Sequence, residues 1–171
     1  MDRASRAVGA AVILAAMMAC GRSPTTPAPQ SLFAGTWLGQ LRQVSCTHPD
    51  VTTCDGTYPP TSTFTLLLVL EHEGSAVSGT FDLEMLPPPG SPIRPRHDTG
   101  TLTGQLQTAD SLALMGSTFA GGERVFEVRD WQARLSGGAL TGRFILIEER
   151  SGAAEPLVLE FEMLGLIRIA R

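Results

Sequence analysis

Two cysteines, Cys46 and Cys54, stand eight positions apart around the polar, turn-like stretch THPDVTT. The pair could close a short loop as a disulfide or remain as free thiols. The same region could instead bind a metal ion through Cys46, His48, Asp50, Cys54 and Asp55. Zinc sites usually place cysteines two to four positions apart or add a second ligand pair elsewhere, whereas His72 and His97 are isolated. We therefore expect a disulfide and no bound metal.

Motifs of the common enzyme classes are absent from the sequence. It contains no Gly-x-Ser-x-Gly or His-Glu-x-x-His pattern and no phosphate-binding loop. Glu148 and Glu149 are adjacent in a predicted strand, so their side chains point to opposite faces and cannot act together. We expect a protein that is not an enzyme and that uses no cofactor.

The first twenty residues have the order of a secretory signal. Arg3 and Arg6 give a positive start, residues 7–16 are small and apolar, and Met17-Met18-Ala19-Cys20 follows. The segment resembles a bacterial lipoprotein signal, in which the cysteine receives acyl chains such as palmitate and becomes the new N-terminus. Met17 stands where that family usually has leucine.

This resemblance implies a signal peptide over 1–19 and a lipid-anchored tether over 20–31, which is rich in proline and threonine. Such a segment is a spacer and does not fold by itself. In Gram-negative lipoproteins an aspartate after the lipidated cysteine marks retention in the inner membrane. Gly21 stands there, so the resemblance implies an outer-membrane lipoprotein that faces the periplasm. Export to an oxidising compartment also favours the Cys46–Cys54 disulfide.

From residue 32 onward, apolar and polar residues alternate between clusters of Gly, Pro, Ser and Asp. Alternation with a period of two is typical of half-buried strands. It predicts no helix and eight strands, over 35–44, 62–72, 76–86, 98–107, 111–117, 124–135, 139–149 and 157–169. Mostly short connections predict that successive strands are antiparallel neighbours.

A short motif recurs in these strands: a small and mostly polar residue, glycine, a polar residue and a large apolar one. It occurs at 34–37, 78–81, 99–102, 103–106 and 141–144. Glycine inside a strand permits sharp coiling, as in a sheet that closes on itself. We predict an all-β domain over 32–171, folded as an eight-stranded antiparallel up-and-down barrel, with a β-sandwich as the alternative.

Gly35-Thr36-Trp37, near the start of the first predicted strand, resembles the Gly-x-Trp that opens lipocalins and avidins, the calycin β-barrels. In lipocalins the tryptophan closes one end of the barrel and an arginine from the last strand packs over it. The resemblance implies this structural role for Trp37 and Arg168. It does not imply biotin binding, because the chain has no asparagine and only Trp37 and Trp131 as tryptophans.

The inward faces of the predicted strands decide between a packed barrel and a hollow one. Large apolar side chains could fill the lumen, from Phe64, Leu66, Leu68, Leu70, Phe81, Leu83, Met85, Leu140, Phe144, Leu146, Leu157, Leu159, Phe161 and Met163. Glycines at 79, 104, 116 and 142 could leave space beside them. A filled core and an apolar cavity both remain open.

The predicted sixth strand, EVRDWQAR, has no clean apolar face. Arg129 and Trp131 would share a face and could hold an anionic or amphipathic ligand at the mouth of the barrel. The strand could instead be simply solvated, with its charges paired to neighbouring strands. Arg94, Arg96 and His97 lie in or beside a proline-rich loop that could border the same mouth.

The net charge of the chain limits the classes of partner that it is expected to bind. Thirteen basic residues, all arginine, against seventeen acidic ones give a net charge of −4, which argues against nucleic acid. We expect a non-catalytic cell-envelope lipoprotein, bound to the membrane through its lipid anchor, that binds another envelope component such as a protein. The alternative is a carrier or sensor of a small apolar ligand. A carrier needs an unfilled lumen, whereas a partner-binding protein should expose an apolar patch.

Overall fold

The computed structural model describes residues 32–59, 61–118, 124–150 and 154–170. Within them lie β1 (Gly35–Thr47), α1 (Val51–Thr57), β2 (Thr63–Glu73), β3 (Ala76–Leu86), β4 (Arg96–Thr108), β5 (Ser111–Thr118), β6 (Arg124–Ser136), β7 (Ala139–Arg150) and β8 (Leu157–Ile169). Each strand pairs with the next in antiparallel fashion, and β8 pairs with β1. The predicted up-and-down barrel is therefore confirmed and the sandwich is wrong. The predicted signal peptide, Cys20 and the tether lie outside the described residues.

The helix α1 contradicts the prediction that the chain contains no helix. Its sequence, VTTCDGT, consists of residues with a weak preference for helix, so the sequence gives no periodic signal for a helix here. Asp50 caps its first turn, since the Asp50 carboxylate accepts a hydrogen bond from the Thr52 backbone N–H at 3.0 Å. Local capping thus accounts for a helix that the hydrophobic pattern does not show. Within the described part of the chain, no helix is long and apolar enough to cross a bilayer.

Aromatic rings from five strands meet inside the barrel. Trp131 stacks on Phe144 with 4.3 Å between ring centroids, and Phe81 makes a T-shaped contact with the indole at 6.4 Å. Phe144 also stacks on Phe161 at 5.3 Å, and Phe161 packs edge-on against Phe64 at 4.9 Å. All five side chains are buried. At this level the lumen is filled by side chains, as the filled-core interpretation predicts.

Two glycines of the recurring motif lie where neighbouring strands approach too closely for a side chain. A Cβ atom on Gly104 would lie 1.9 Å from the Ala113 carbonyl oxygen, and one on Gly142 would lie 1.9 Å from the Gln132 carbonyl oxygen. Because any other residue would force these strands apart, glycine at these positions permits the tight coiling of a small closed barrel.

The barrel has two distinct ends. At the first, which we name the closed end, lie the start of β1 and the hairpins that join β2 to β3, β4 to β5 and β6 to β7. At the second, the loop end, lie α1 and the proline-rich connection from β3 to β4. Each end has its own arrangement of aromatic and charged side chains.

Candidate functional site

A buried carboxylate lies at the loop end. Glu148 continues the inward face of β7 beyond Phe144 and Leu146, and among the described residues it is the one charged residue that is fully buried. The Tyr58 hydroxyl donates a hydrogen bond to Glu148 Oε2 at 2.8 Å, and Arg96 Nη1 lies 3.4 Å from the same oxygen. Two donors thus converge on one oxygen of this carboxylate, as a buried charge requires.

The Arg96 side chain, only 12% exposed, joins several neighbours at this end. Its Nη2 lies 3.7 Å from Asp98 Oδ2. The guanidinium carbon lies 4.7 Å from the centroid of the Tyr58 ring and 5.4 Å from that of Phe126, so the cation also contacts two aromatic rings. We name Tyr58, Arg96 and Glu148 the loop-end cluster.

Ionisation of Tyr58 is suppressed in this setting. Burial raises the pKa of the Tyr58 hydroxyl well above its ordinary value of 10.0; the Arg96 cation opposes this shift and the Glu148 carboxylate adds to it. The phenol therefore keeps its proton, and remains a hydrogen-bond donor, even at the alkaline pH at which an exposed tyrosine ionises. A fixed donor of this kind suits structural closure or the binding of an acceptor.

The position of Tyr58 depends on α1. Tyr58 follows the helix directly, and its backbone N–H donates to the Cys54 carbonyl oxygen at 2.8 Å. Cys54 is bonded to Cys46 of β1, with 5.9 Å between the two Cα atoms, which confirms the predicted disulfide. The bond ties α1 to the barrel wall and holds Tyr58 over Glu148. No group of three potential metal ligands lies together in the described ranges.

At the closed end, Trp37 of β1 and Arg168 of β8 are direct cross-strand partners. The Arg168 guanidinium carbon lies 5.1 Å from the centroid of the indole, which is the arrangement that the lipocalin resemblance implies. Trp37 Nε1 donates to the Phe33 carbonyl oxygen at 2.8 Å. Arg168 Nη2 donates to the carbonyl oxygens of Leu32 and Ala34. These contacts fix the point where the chain enters the barrel.

The prediction that Arg129 and Trp131 share a face is wrong. Trp131 is buried inside the barrel, whereas Arg129 lies on the outer wall with its Nη2 2.5 Å from Glu127 Oε2. The register of β6 shifts between Arg129 and Gln132, and Asp130 has a positive φ of 51°. This β-bulge inserts one residue, so the alternation reverses between Val128 and Trp131. The two side chains do not form a common ligand mouth.

The three basic residues around the proline-rich loop do not form one cluster either. Arg96 points into the barrel, while Arg94 is exposed. His97 points outward, with Nε2 2.6 Å from Asp82 Oδ1. Only Arg96 belongs to the loop-end cluster. Alternation along β4 separates neighbouring residues in this way once strand pairing begins at Arg96.

A groove with a volume of about 680 Å³ runs along the outer wall over β4, β5 and β6. Ala113 forms part of its floor, with Gln105 and Gln132 as direct cross-strand partners on either side. Met115, on the same strand as Ala113, is 64% exposed. The hydrogen bond from Arg129 holds the pKa of Glu127 below its usual range, so this ion pair at the edge of the groove is charged at neutral pH. We name this surface the outer groove.

A second outer surface lies across the seam between β1 and β8. Leu38 and Ile167 are direct cross-strand partners, and Leu164 lies further along β8. All three are exposed, Ile167 to 61%. We name these three residues the apolar patch. Because strand order places β5 opposite β1 in a closed barrel of eight strands, the patch and the outer groove lie on opposite walls.

Inside the barrel, Trp131 has an unsatisfied polar atom. The side chain is fully buried, yet Nε1 has no hydrogen-bond partner. Buried donors are normally paired, so this N–H is unusual.

Sequence reasoning missed the loop-end cluster, although signals for it exist. Glu148 occupies the apolar phase of β7, in step with Phe144 and Leu146, which already predicts a carboxylate inside the barrel. Tyr58 gives no such signal, because it lies in a connection without periodicity. Only the folded chain shows that it meets Glu148.

No protein-family model matches the chain, and no curated protein is significantly similar to it in sequence.

Proposed function

We propose that the protein is a non-catalytic cell-envelope lipoprotein, anchored through an acylated Cys20, that binds another envelope component through the outer groove. The observation that carries the proposal is the contrast between the two sides of the wall. Aromatic rings occupy the lumen at the level of Trp131, while about 680 Å³ of concave surface lies outside on β4 to β6. Concave surfaces that combine apolar floor with a few polar groups are typical binding sites.

The groove favours a partner that offers hydrogen-bonding groups around an apolar segment. The Gln105 and Gln132 amides each carry donors and an acceptor, so they complement the peptide groups of a protein segment. Met115 supplies an adaptable apolar contact. Arg129 and Glu127 add charge at the border. This chemistry fits an envelope protein better than a nucleic acid.

Site-specific cross-linking tests this proposal. A photoreactive amino acid replaces Met115 in the full-length chain in its native cells, and the matched control carries the same residue at exposed Thr80 on β3. We expect one discrete cross-linked partner from position 115, absent from position 80 and lost when Gln105→Ala and Gln132→Ala are added. Equal products from both positions, or none from position 115, would reject the groove as the binding surface.

A second candidate is a carrier of a small, mainly apolar ligand inside the barrel. The buried Trp131 N–H without an acceptor favours it, because a ligand oxygen could satisfy that donor. Native mass spectrometry of the protein after exposure to a lipid and metabolite extract tests this candidate. A bound mass that disappears on denaturation, and that Trp131→Phe abolishes, would support it; repeated apo masses would eliminate it.

A further inference from the structure

The outer face of β8 changes character along its length. Glu160 and Glu162 lie toward the loop end, whereas Leu164 and Ile167 lie toward the closed end. On β1, exposed Leu38 pairs with Ile167, and half-buried Leu67 of β2 continues the row. The apolar patch therefore has aliphatic neighbours around the closed-end part of this wall.

A belt of ion pairs borders the apolar patch on the side of the loop end. Arg42 of β1 pairs with Glu162, and Arg143 Nη1 of β7 lies 3.5 Å from Glu160 Oε1. Arg143 Nη2 also lies 3.8 Å from Glu162 Oε1. Exposed charges of this kind prefer water, so the belt sets a limit to how far an apolar environment can extend along the wall.

The chain enters the barrel at the same end as the patch. The carbonyl oxygens of Leu32, Phe33 and Ala34 are held by Arg168 and Trp37. Between Cys20 and Leu32 the sequence has eleven residues, which span at most about 40 Å when fully extended. A lipid at Cys20 would therefore keep the closed end within reach of the bilayer, at a distance no longer than the tether.

We propose that the apolar patch rests on the surface of the bilayer that holds the lipid anchor, with the loop end and the outer groove turned away from it. The inference depends on the acylated Cys20 of the proposed function. Leu38, Leu164 and Ile167 are all aliphatic, whereas the centres of protein interfaces are enriched in tryptophan, tyrosine and arginine. Apolar area and a lipid chain act together in membrane attachment, since each buries hydrocarbon.

Acidic residues at the closed end indicate which kind of lipid headgroup the apolar patch contacts. Glu71 and Glu73 are exposed near the end of β2, beyond Val69. These two carboxylates would repel anionic headgroups, and the exposed Arg168 cation at the same end offsets them only in part. The surface is therefore a zwitterionic one, such as phosphatidylcholine, and added anionic lipid should not strengthen the contact.

Photolabelling from the lipid tests the orientation. The full mature chain, purified with its lipid, is reconstituted in phosphatidylcholine vesicles that contain a phospholipid with a diazirine high on its acyl chain. After irradiation, peptide mass spectrometry maps the adducts. We expect them to concentrate on peptides with Leu38, Leu164 and Ile167 and to be absent around Met115, which is at least as exposed but lies on the opposite wall. Leu164→Gln with Ile167→Gln should lower the adducts several-fold, whereas Met115→Gln should not change them.

The outcomes separate this inference from the proposed function. An intact mass without acyl groups on Cys20 overturns both. An acylated chain whose adducts fall evenly over the barrel, or only on residues 20–31, overturns the orientation and leaves the lipoprotein proposal standing. Single Leu38→Gln provides a milder variant if the double substitution unfolds the barrel, and it too should lower the labelling of the remaining patch residues.

Discussion

Each end of the barrel has an arginine over an aromatic ring, but the two arginines are satisfied in different ways. At the closed end, exposed Arg168 lies over Trp37 and donates to main-chain carbonyl oxygens. At the loop end, nearly buried Arg96 lies over Tyr58 and faces the carboxylate of Glu148. In the first arrangement the cation is exposed, and main-chain carbonyl oxygens accept its hydrogen bonds.

The second arrangement is stable only while Tyr58, Arg96 and Glu148 are all present. Moving charges out of water is costly, and a buried pair repays that cost only while both partners remain. Removing a member of the loop-end cluster should therefore destabilise the protein more than removing the arginine of the closed end. The same pairing of an arginine with an aromatic ring thus contributes unequally to the free energy of unfolding at the two ends.

The largest effect is expected from Glu148→Ala. It removes the fully buried counter-charge of Arg96, which keeps only the longer contact of 3.7 Å to Asp98 among its described ion pairs, and it removes the acceptor of the Tyr58 hydroxyl, at a cost of about 3–5 kcal/mol in the free energy of unfolding. Urea denaturation followed by tryptophan fluorescence measures it. Glu149→Ala, at the exposed neighbouring position, is the control and should change little. If Glu148→Ala lowered the free energy of unfolding no more than Glu149→Ala does, the buried ion pair would contribute no more to stability than an exposed carboxylate.

Loss of the disulfide should come next. The Cys46→Ser, Cys54→Ser double variant opens a short loop, which costs about 2–3 kcal/mol on the chain-entropy model. Because the bond holds α1, hydrogen exchange should accelerate around Tyr58 and stay unchanged around Trp37. Equal acceleration at both ends would show that the disulfide supports the whole barrel and not the loop end alone.

Tyr58→Phe keeps the ring and removes the hydrogen bond to Glu148, so about 1–1.5 kcal/mol of stability should be lost. Tyr58 is the chain's single tyrosine, so its ultraviolet absorbance reports this phenol alone. Because its pKa is raised in the folded state, native protein should not titrate near pH 10.

The linked stability follows from the same pKa. Unfolded chain loses the tyrosine proton near pH 10 while the folded chain keeps it, so wild-type stability should fall as the pH rises above that value. Tyr58→Phe should lack this part of the pH dependence. Ordinary titration of the native protein near pH 10 would contradict the buried, hydrogen-bonded phenol.

The smallest effect is expected at the closed end. Arg168→Ala removes an exposed cation–π contact, which contributes about 0.5–1 kcal/mol, and the hydrogen bonds to the carbonyl oxygens of Leu32 and Ala34, which contribute little because water can replace them at an exposed position. Thermal unfolding compares it with Arg134→Ala, whose exposed side chain pairs with Asp110 on the surface. If Arg168→Ala cost as much as Glu148→Ala, the two ends would be energetically equivalent and the comparison would fail.

The fold was largely predictable because its strands alternate cleanly. The strand predicted over 76–86 is β3 without change, and the one over 62–72 differs from β2 by one residue at each end. Glycine spacing also predicted closure, since residues such as Gly104 permit the close approach of neighbouring strands. In these segments local pattern and tertiary packing agree.

The candidate sites were less predictable, for two physical reasons. A bulge at Arg129 and Asp130 changes which side chains point inward. In the sequence the inserted residue shows only as the lack of a clean apolar face in this strand, which a solvated strand would show equally. The loop-end cluster joins residues far apart in the chain, since Tyr58 and Glu148 are 90 positions apart. No local period can reveal such a contact.

The contact between Arg168 and Leu32 joins groups 136 positions apart, almost the full span of the barrel. During synthesis the seam cannot form until the last strand exists, and until then β1 and β7 both present open edges to other chains. Closure of the barrel therefore waits until the C-terminal strand has been made, and contacts of such long range form slowly. A chain cut short before β8 would not be a smaller barrel but an open sheet prone to aggregate.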